Sequence, residues 1–392
     1  MTEIQNTFIK ILRAYIHNEP ISLPENTDFN GLFELAKIHS VAGIVAAMNR
    51  KNKFPMHAEL SQKFDGYMMA AVSQSVTWDR LYKEVSEALA AEGIKNIAVK
   101  GPVVKKYYPD PDLRTMGDID LVVHKDNMPQ AHKVMEKLGF SICESSVDEY
   151  KFERNHMYIE LHEDLTSADF GTGVDYKKEM QYIFNCVKNP DECIQELTDE
   201  CHLVYLILHI AHHLFSSGCG VRQILDVALA IKHSEFDVNN VLEQFDSFKL
   251  TELAHVIFYL CNEWFDVKCE DYNIDNDLYE FISEHILVGG VFGFDANRED
   301  NKTVRDSIKE KNKLKFLLSR AFPNIHQMRA KVLWFRNKPA VLLPVAWVYR
   351  WFKSYKDHPE RINQYLKKSV VTGNKQIEKE YEMLKKLGFY QD

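Results

Sequence analysis

The sequence predicts an α+β protein: a small mixed sheet embedded in a mostly helical chain, with helical N- and C-terminal regions. Two changes of hydrophobic period carry that prediction. Apolar residues recur at helical spacing up to about residue 93, shift to short strand-like runs between about 94 and 165, and return to helical spacing from Glu196 nearly to the end. Size is the third observation, since 392 residues at 45% hydrophobic content suffice for two or three packed units. Four regions are expected: helical over 1–93, an α/β core over 94–170, a helical closing domain over 171–300, and a basic helical region over 301–392.

Over 3–17, Ile4, Phe8, Ile11, Leu12 and Ile16 recur every three or four residues, and over 30–50 Leu32, Leu35, Ala36, Ile38, Val41 and Ile44 do the same. From 58 to 92 no proline interrupts the period through Met68, Ala71, Val72, Val76, Leu81, Val85 and Leu89. Gly93 then supplies a stop, which predicts one long helix or two stacked ones. Strands are expected over 94–99 and 119–123, a helix over about 129–138, and a strand near 140–143. Residues 157–162 alternate, with Met157, Ile159 and Leu161 on one face and Tyr158, Glu160 and His162 on the other. Turn signals fall at 216–220, 289–293 and Pro339.

Composition excludes several classes. Twelve prolines and sixteen glycines are too few for a disordered or collagen-like chain. Seven cysteines without a CxxC pair do not make a disulfide scaffold, and residues 1–18 lack a signal-peptide apolar core, so a reducing, cytoplasmic setting is expected. Charge is segregated: residues 301–392 carry a net +13 and the rest of the chain −22. Such a basic module faces the acidic body of its own protein, a polyanion or an anionic membrane. It carries no RNA-binding, zinc-finger or helix-turn-helix spacing, so no specific nucleic-acid partner is expected. The run 341–349 is too short to span a bilayer. With Arg336, Lys338, Arg350 and Lys353 around it, it reads as a buried helix with basic ends, with peripheral membrane contact as the alternative.

The chemistry concentrates at Gly117-Asp118-Ile119-Asp120-Leu121-Val122-Val123. Carboxylates two residues apart at a strand start point to the same side, and a divalent cation is the usual reason to hold two like charges that close. Oxygen ligands suit Mg²⁺ or Mn²⁺. Lys100-Gly101-Pro102 follows the 94–99 strand, offering a point charge and close backbone approach to phosphate. Arg114 adds a fork for phosphate, and Glu160 a third acid on a neighbouring strand.

The ordered set Ile94 to Gly101, Tyr108-Pro109, Arg114, Asp118 to Val123, Leu138-Gly139-Phe140 and Glu160-Leu161-His162 resembles the uncharacterised nucleotidyltransferase family of the polymerase-β-like superfamily. Leu32 to Met48 is similar to that family's N-terminal helices. His209-Ile210-Ala211-His212-His213 and Arg222-Gln223-Ile224-Leu225-Asp226 are similar to its helical C-terminal part. The resemblance covers about residues 30–235. It implies Mg²⁺-dependent transfer of an NMP group from ATP or another NTP to a hydroxyl of a small molecule, glycan or protein, with pyrophosphate release. Asp118, Asp120 and Glu160 would be the catalytic acids and metal ligands, with Asp148 or Asp164 as fallback for the third. Lys100, Gly101, Arg114 and Gly117 would hold the nucleotide, and His162, His209, His213, Arg222 and Asp226 would line the cleft. Gly101-Pro102 replaces the usual Gly-Ser or Gly-Gly pair, removing a hydroxyl and an N–H donor. A catalytically inactive nucleotide-binding sensor or scaffold is the alternative that this departure suggests.

Three smaller readings remain. His209 and His213 lie at i, i+4 without the HExxH acid, which favours buried histidines over a zinc site. Arg222 and Asp226, also at i, i+4, are expected to form an intrahelical salt bridge. Cys219, between glycines in a turn, is expected to be exposed.

Overall fold

The computed structural model describes residues 1–145, 149–164, 170–216, 218–270, 272–290, 318, 321–335, 338–357 and 375–391. Helix α1 (Glu3–Ile16) opens on a capping box in which Thr2 and Gln5 satisfy each other's backbone N–H. The expected helical run over 30–50 is two helices, α2 (Phe29–Ile38) and α3 (Ala42–Asn52). The chain breaks at Ser40, whose φ of +55° no helix accommodates, yet both helices bury their apolar stripes in one core, so the period survives the break. Helix α4 (Ala58–Ala91) is a single helix of 34 residues. Its first half buries Leu60, Phe64 and Ala71 in the helical core, and its second half places Trp78, Leu81, Val85 and Leu89 under the sheet.

There follow β1 (Asn96–Val99), the short α5 (Gly101–Val104), β2 (Ile119–Val123), α6 (Met128–Lys137), β3 (Ser141–Ser145), β4 (Glu149–Arg154), β5 (Met157–His162), the short α7 (Tyr176–Glu179) and β6 (Ile194–Glu196). The six strands form one sheet in the order β3-β4-β5-β2-β1-β6. Strand β2 runs antiparallel to β1 and parallel to β5, and β1 is parallel to β6. Because β6 lies beyond residue 170, the sheet draws on chain from both 94–170 and 171–300.

Alternation along the strands splits the sheet between two cores. Ala98, Ile119, Leu121, Ile159 and Leu161 pack with α4 and α6, whereas Ile97, Val99 and Val122 face the larger helical core. Asp120, Glu160 and His162 therefore project on the helical side, where α8 (Asp199–Ser216) and α9 (Val221–His233) pack.

Helices α10 (Val238–Ser247), α11 (Thr251–Phe265) and α12 (Asn276–Gly289) complete the body. Helices α13 (Ile325–Lys331) and α14 (Leu343–Asp357) enclose a small core of Met328, Val332, Phe335 and Ala346. The last helix, α15 (Lys375–Lys386), returns the chain end to the main core, burying Leu387, Phe389 and Tyr390, with the Tyr390 N–H donating to Phe170 O at 3.1 Å. Gly388 allows this return: its φ is +97°, and a Cβ there would lie 2.5 Å from Lys249 O. Lys386 pairs with Asp275 at 3.0 Å, one direct contact of the basic region with the acidic body. Two expectations are corrected. Cys219 is buried, because the turn between α8 and α9 packs into the helical core. The segment around 341–349 is not a buried helix, since Val341 and Val345 are 79% and 55% exposed.

Candidate active site

Strand β2 brings Asp120 opposite Glu160 of β5 in parallel register and opposite Val99 of β1. The paired acids found in the sequence and the third acid are therefore neighbours on one face of a twisted sheet. Asp120 is 2% exposed, and two side-chain nitrogens meet its Oδ1: Lys100 Nζ at 2.6 Å and His162 Nε2 at 3.0 Å. Burial alone would raise this carboxyl, but Lys100 and His162 outweigh burial and hold it well below the usual carboxylate range. The same pairing lifts the Lys100 ammonium and the His162 imidazole against their own burial. Asp118 and Glu160 shift upward, through burial first and then the charge of Asp120. Glu160 accepts from Lys151 Nζ at 2.7 Å and lies 3.7 Å from His162 Nε2.

Lys100 sits where β1 turns into α5, at φ +54° and ψ −119°. An L residue held in so sparsely populated a conformation costs on the order of 1–3 kcal/mol, a burden typical of functional turns. Pro102 lies in the first turn of α5, where the N–H it lacks would have no intrahelical acceptor, which accounts locally for Gly101-Pro102.

The opposite wall is cationic and imidazole-rich. Arg114 grips Asp226 with Nη2–Oδ2 at 2.6 Å and Nε–Oδ1 at 3.3 Å, and Tyr108 OH donates to the same Oδ1 at 2.6 Å. Arg222 donates to Thr115 O and Oγ1, both at 2.9 Å, instead of pairing with Asp226. The expected intrahelical bridge is thus replaced by a cross-link from Asp226 to Arg114. Burial, then the neighbouring Arg114, pushes Arg222 down to about 10. His209 and His213 meet at 2.9 Å between their Nε2 atoms. Arg222 Nε and His213 Nδ1 are buried with no hydrogen-bond partner.

Between these walls lies a cavity of about 360 Å³. It is lined by Lys100, Gly101, Arg114, Gly117, Asp118, Asp120, Glu160, His162, His209, His213, Arg222 and Asp226. Asp164 lines it as well, while Asp148 falls outside the described residues. Ligand atoms of Asp120, Glu160 and His162 lie within 4.8 Å of one another, close enough to share one cation. Two carboxylates and an imidazole fit a divalent ion.

The profile of the uncharacterised nucleotidyltransferase family matches residues 25–266, more than half of the chain. The chain belongs to that family. No curated protein and no solved structure matches it. The matched span runs from ahead of α2 to the end of α11, so both walls of this nucleotidyltransferase's cavity fall within it.

Sequence reasoning missed Glu149 and Tyr205, which line this cavity, and Lys151, which pairs with Glu160 beside it. Lys151 and Glu149 come from β4, whose antiparallel register sets them opposite Glu160 and His162. The signal was Tyr150 and Phe152 alternating with Glu149, Lys151 and Glu153, weak because charged residues fill the open face.

Gly101 is closely covered by the Met116 and Arg114 side chains, which a larger residue would have to displace. A Cβ there would lie 2.4 Å from Met116 Sδ and 3.0 Å from Arg114 Nη1. Gly101→Ala is expected to destabilise the chain by about 1–3 kcal/mol through overpacking. Met116→Ala in the same chain should recover part of that loss in urea unfolding, and no recovery would reject the clash.

The buried histidines set an acid limit on stability. His39 accepts from Val221 N–H through Nδ1 and faces Leu287 O through Nε2, an arrangement that requires the neutral ring. Burial pushes His39 down to about 4 and His202 and His213 to about 3, and His209 well down too. Below about pH 6.5 the unfolded chain binds protons that these rings refuse, so stability falls with falling pH, by up to about 1.4 kcal/mol per pH unit for each ring. The raised His162 imidazole acts with the opposite sign in the same window, one ring against four, and the raised carboxyls of Asp118 and Glu160 do so at lower pH. The urea midpoint is expected to drop between pH 7 and 5.5, and a constant midpoint would contradict the neutral assignment.

Proposed function

We propose that the cavity performs nucleotidyl transfer from an NTP to a hydroxyl acceptor. The observation that carries this reading is the opposition of its walls: Asp118, Asp120 and Glu160 on the sheet, with Lys100 paired to Asp120, face Arg222, His209 and His213 across the cavity. A guanidinium and imidazoles in the wall facing three acids suit a polar, anionic ligand such as a phosphate.

Asp120, Glu160 and His162 would hold a divalent ion, Mg²⁺ or Mn²⁺, with Asp118 beside them. Once bound, such an ion neutralises charge on the triphosphate and on the departing pyrophosphate. Arg222 orients the phosphates from the other side, a role in which it replaces the fully engaged Arg114, and Lys100 meets them from the side of the acids. Glu160 is raised toward neutrality by burial and suits a proton acceptor. The acceptor oxygen attacks the α-phosphorus, its proton passes to Glu160, the new O–P bond forms and the bond to the bridging oxygen of the β-phosphate breaks, releasing pyrophosphate. His162 must lose its proton to ligate a cation, so cation affinity is expected to weaken as pH falls.

The test is pyrophosphate release and label transfer from each α-labelled NTP with Mg²⁺ or Mn²⁺, offering glycans, small alcohols and the protein itself as acceptors. Release with at least one NTP, abolished by Glu160→Gln, is expected. Tight NTP binding with no release for any acceptor would favour the sensor reading, to which the Gly101-Pro102 pair points.

A further inference from the structure

We propose that helix α14 is an interfacial anchor that lays the C-terminal module on an anionic membrane surface. One side of this helix is firmly seated: Ala346 is buried among Met328, Val332 and Phe335, Trp347 Nε1 donates to Pro323 O at 2.8 Å, and Trp351 Nε1 donates to Ala321 O at 2.9 Å. The other side is apolar and open. Val345, Val348, Tyr349, Phe352 and Tyr355 are 55%, 46%, 45%, 72% and 66% exposed. Their spacing of three or four residues places them on one stripe about a third of the helix circumference wide. A soluble surface normally scatters such residues singly, so a continuous stripe marks an interaction face.

Charge selects the occupant. Lys353 and Lys356 on the helix and Lys338 ahead of it are exposed, and residues 301–392 carry a net +13. A second copy of this module would bring two such charges together, whereas anionic lipid headgroups complement them. An apolar face with aromatic residues, bordered by lysines, is the pattern of a helix lying in the plane of the interface. None of the described helices is long and apolar enough to cross a membrane, which agrees with lying on one.

The experiment is cosedimentation of the full chain with phosphatidylcholine vesicles holding 30% phosphatidylglycerol, against pure phosphatidylcholine, at low and high salt. Wild type is expected to partition onto the anionic vesicles and to lose most of that partitioning at high salt. Val348→Glu/Phe352→Glu changes only exposed side chains and is expected to keep its Tm while lowering partitioning at least tenfold. Lys353→Glu/Lys356→Glu is expected to remove the preference for anionic over neutral vesicles. The proposal is overturned if wild type stays in the supernatant with anionic vesicles, or if the apolar double variant sediments as wild type does. A concentration-dependent dimer that Val348→Glu/Phe352→Glu abolishes would also overturn it, assigning the stripe to a second copy.

Discussion

Asp120→Asn is expected to slow NTP turnover about 10³-fold, equivalent to about 4 kcal/mol of transition-state stabilisation. The amide keeps the size of the side chain and an oxygen for Lys100, yet removes the negative charge that Lys100 and His162 both address through Oδ1. A cation held by Asp120, Glu160 and His162 would lose one of its two charged oxygen donors. Lys100, deprived of its partner, becomes a buried ammonium facing a dipole, so some stability is lost as well. Turnover and urea unfolding should therefore be measured on the same variant. Asp118→Asn separates the effects, because Asp118 is less buried and carries no such ion pair, and it is expected to lower turnover at nearly unchanged stability. Full metal-dependent turnover in Asp120→Asn would move the reaction to another site.

The largest stability effect is expected at Asp226. Its carboxylate takes both prongs of Arg114 and the Tyr108 hydroxyl, all buried. Asp226→Ala leaves a guanidinium in the interior without a counter-charge, a loss of about 3–5 kcal/mol. Arg114→Met/Asp226→Leu removes both charges and fills similar volume. It should recover most of that stability, since the attraction within a buried pair barely exceeds the cost of desolvating it. Urea midpoints of the single and double variants decide the matter: a double variant as weak as Asp226→Ala would show that the pair itself, beyond charge balance, sustains the fold. Activity need not follow stability here. The double variant leaves Arg222 in the wall, so nucleotide affinity is expected to survive if Arg222 is the phosphate contact.

The central part of this arrangement was legible in the sequence because local periodicity encodes it. A strand that alternates Asp118, Asp120 against Ile119, Leu121 fixes which face is chemical, and Glu160 with His162 repeats that alternation one strand away. The break between α2 and α3 was hidden because both helices turn apolar stripes to the same core. Strand β4 was hidden for the reverse reason, its open face being filled with charge that serves Glu160. Long-range choices were out of reach altogether: Asp226 selects Arg114, 112 residues away, over the arginine one helical turn before it. Cys219 illustrates the same limit, as a glycine-flanked turn reads as surface until two helices are seen to close over it.

Thermal unfolding with each of the four NTPs, with and without Mg²⁺ or Mn²⁺, on wild type and on Asp118→Asn/Asp120→Asn, tests the nucleotide site most directly. A ligand at 100 times its Kd stabilises by about 2.7 kcal/mol, a shift of several degrees at most for a chain of this size yet readily resolved. The account predicts metal-dependent stabilisation of wild type by at least one NTP and its loss in the double variant. Equal stabilisation of both proteins, or none in wild type at saturating NTP with either ion, would contradict it.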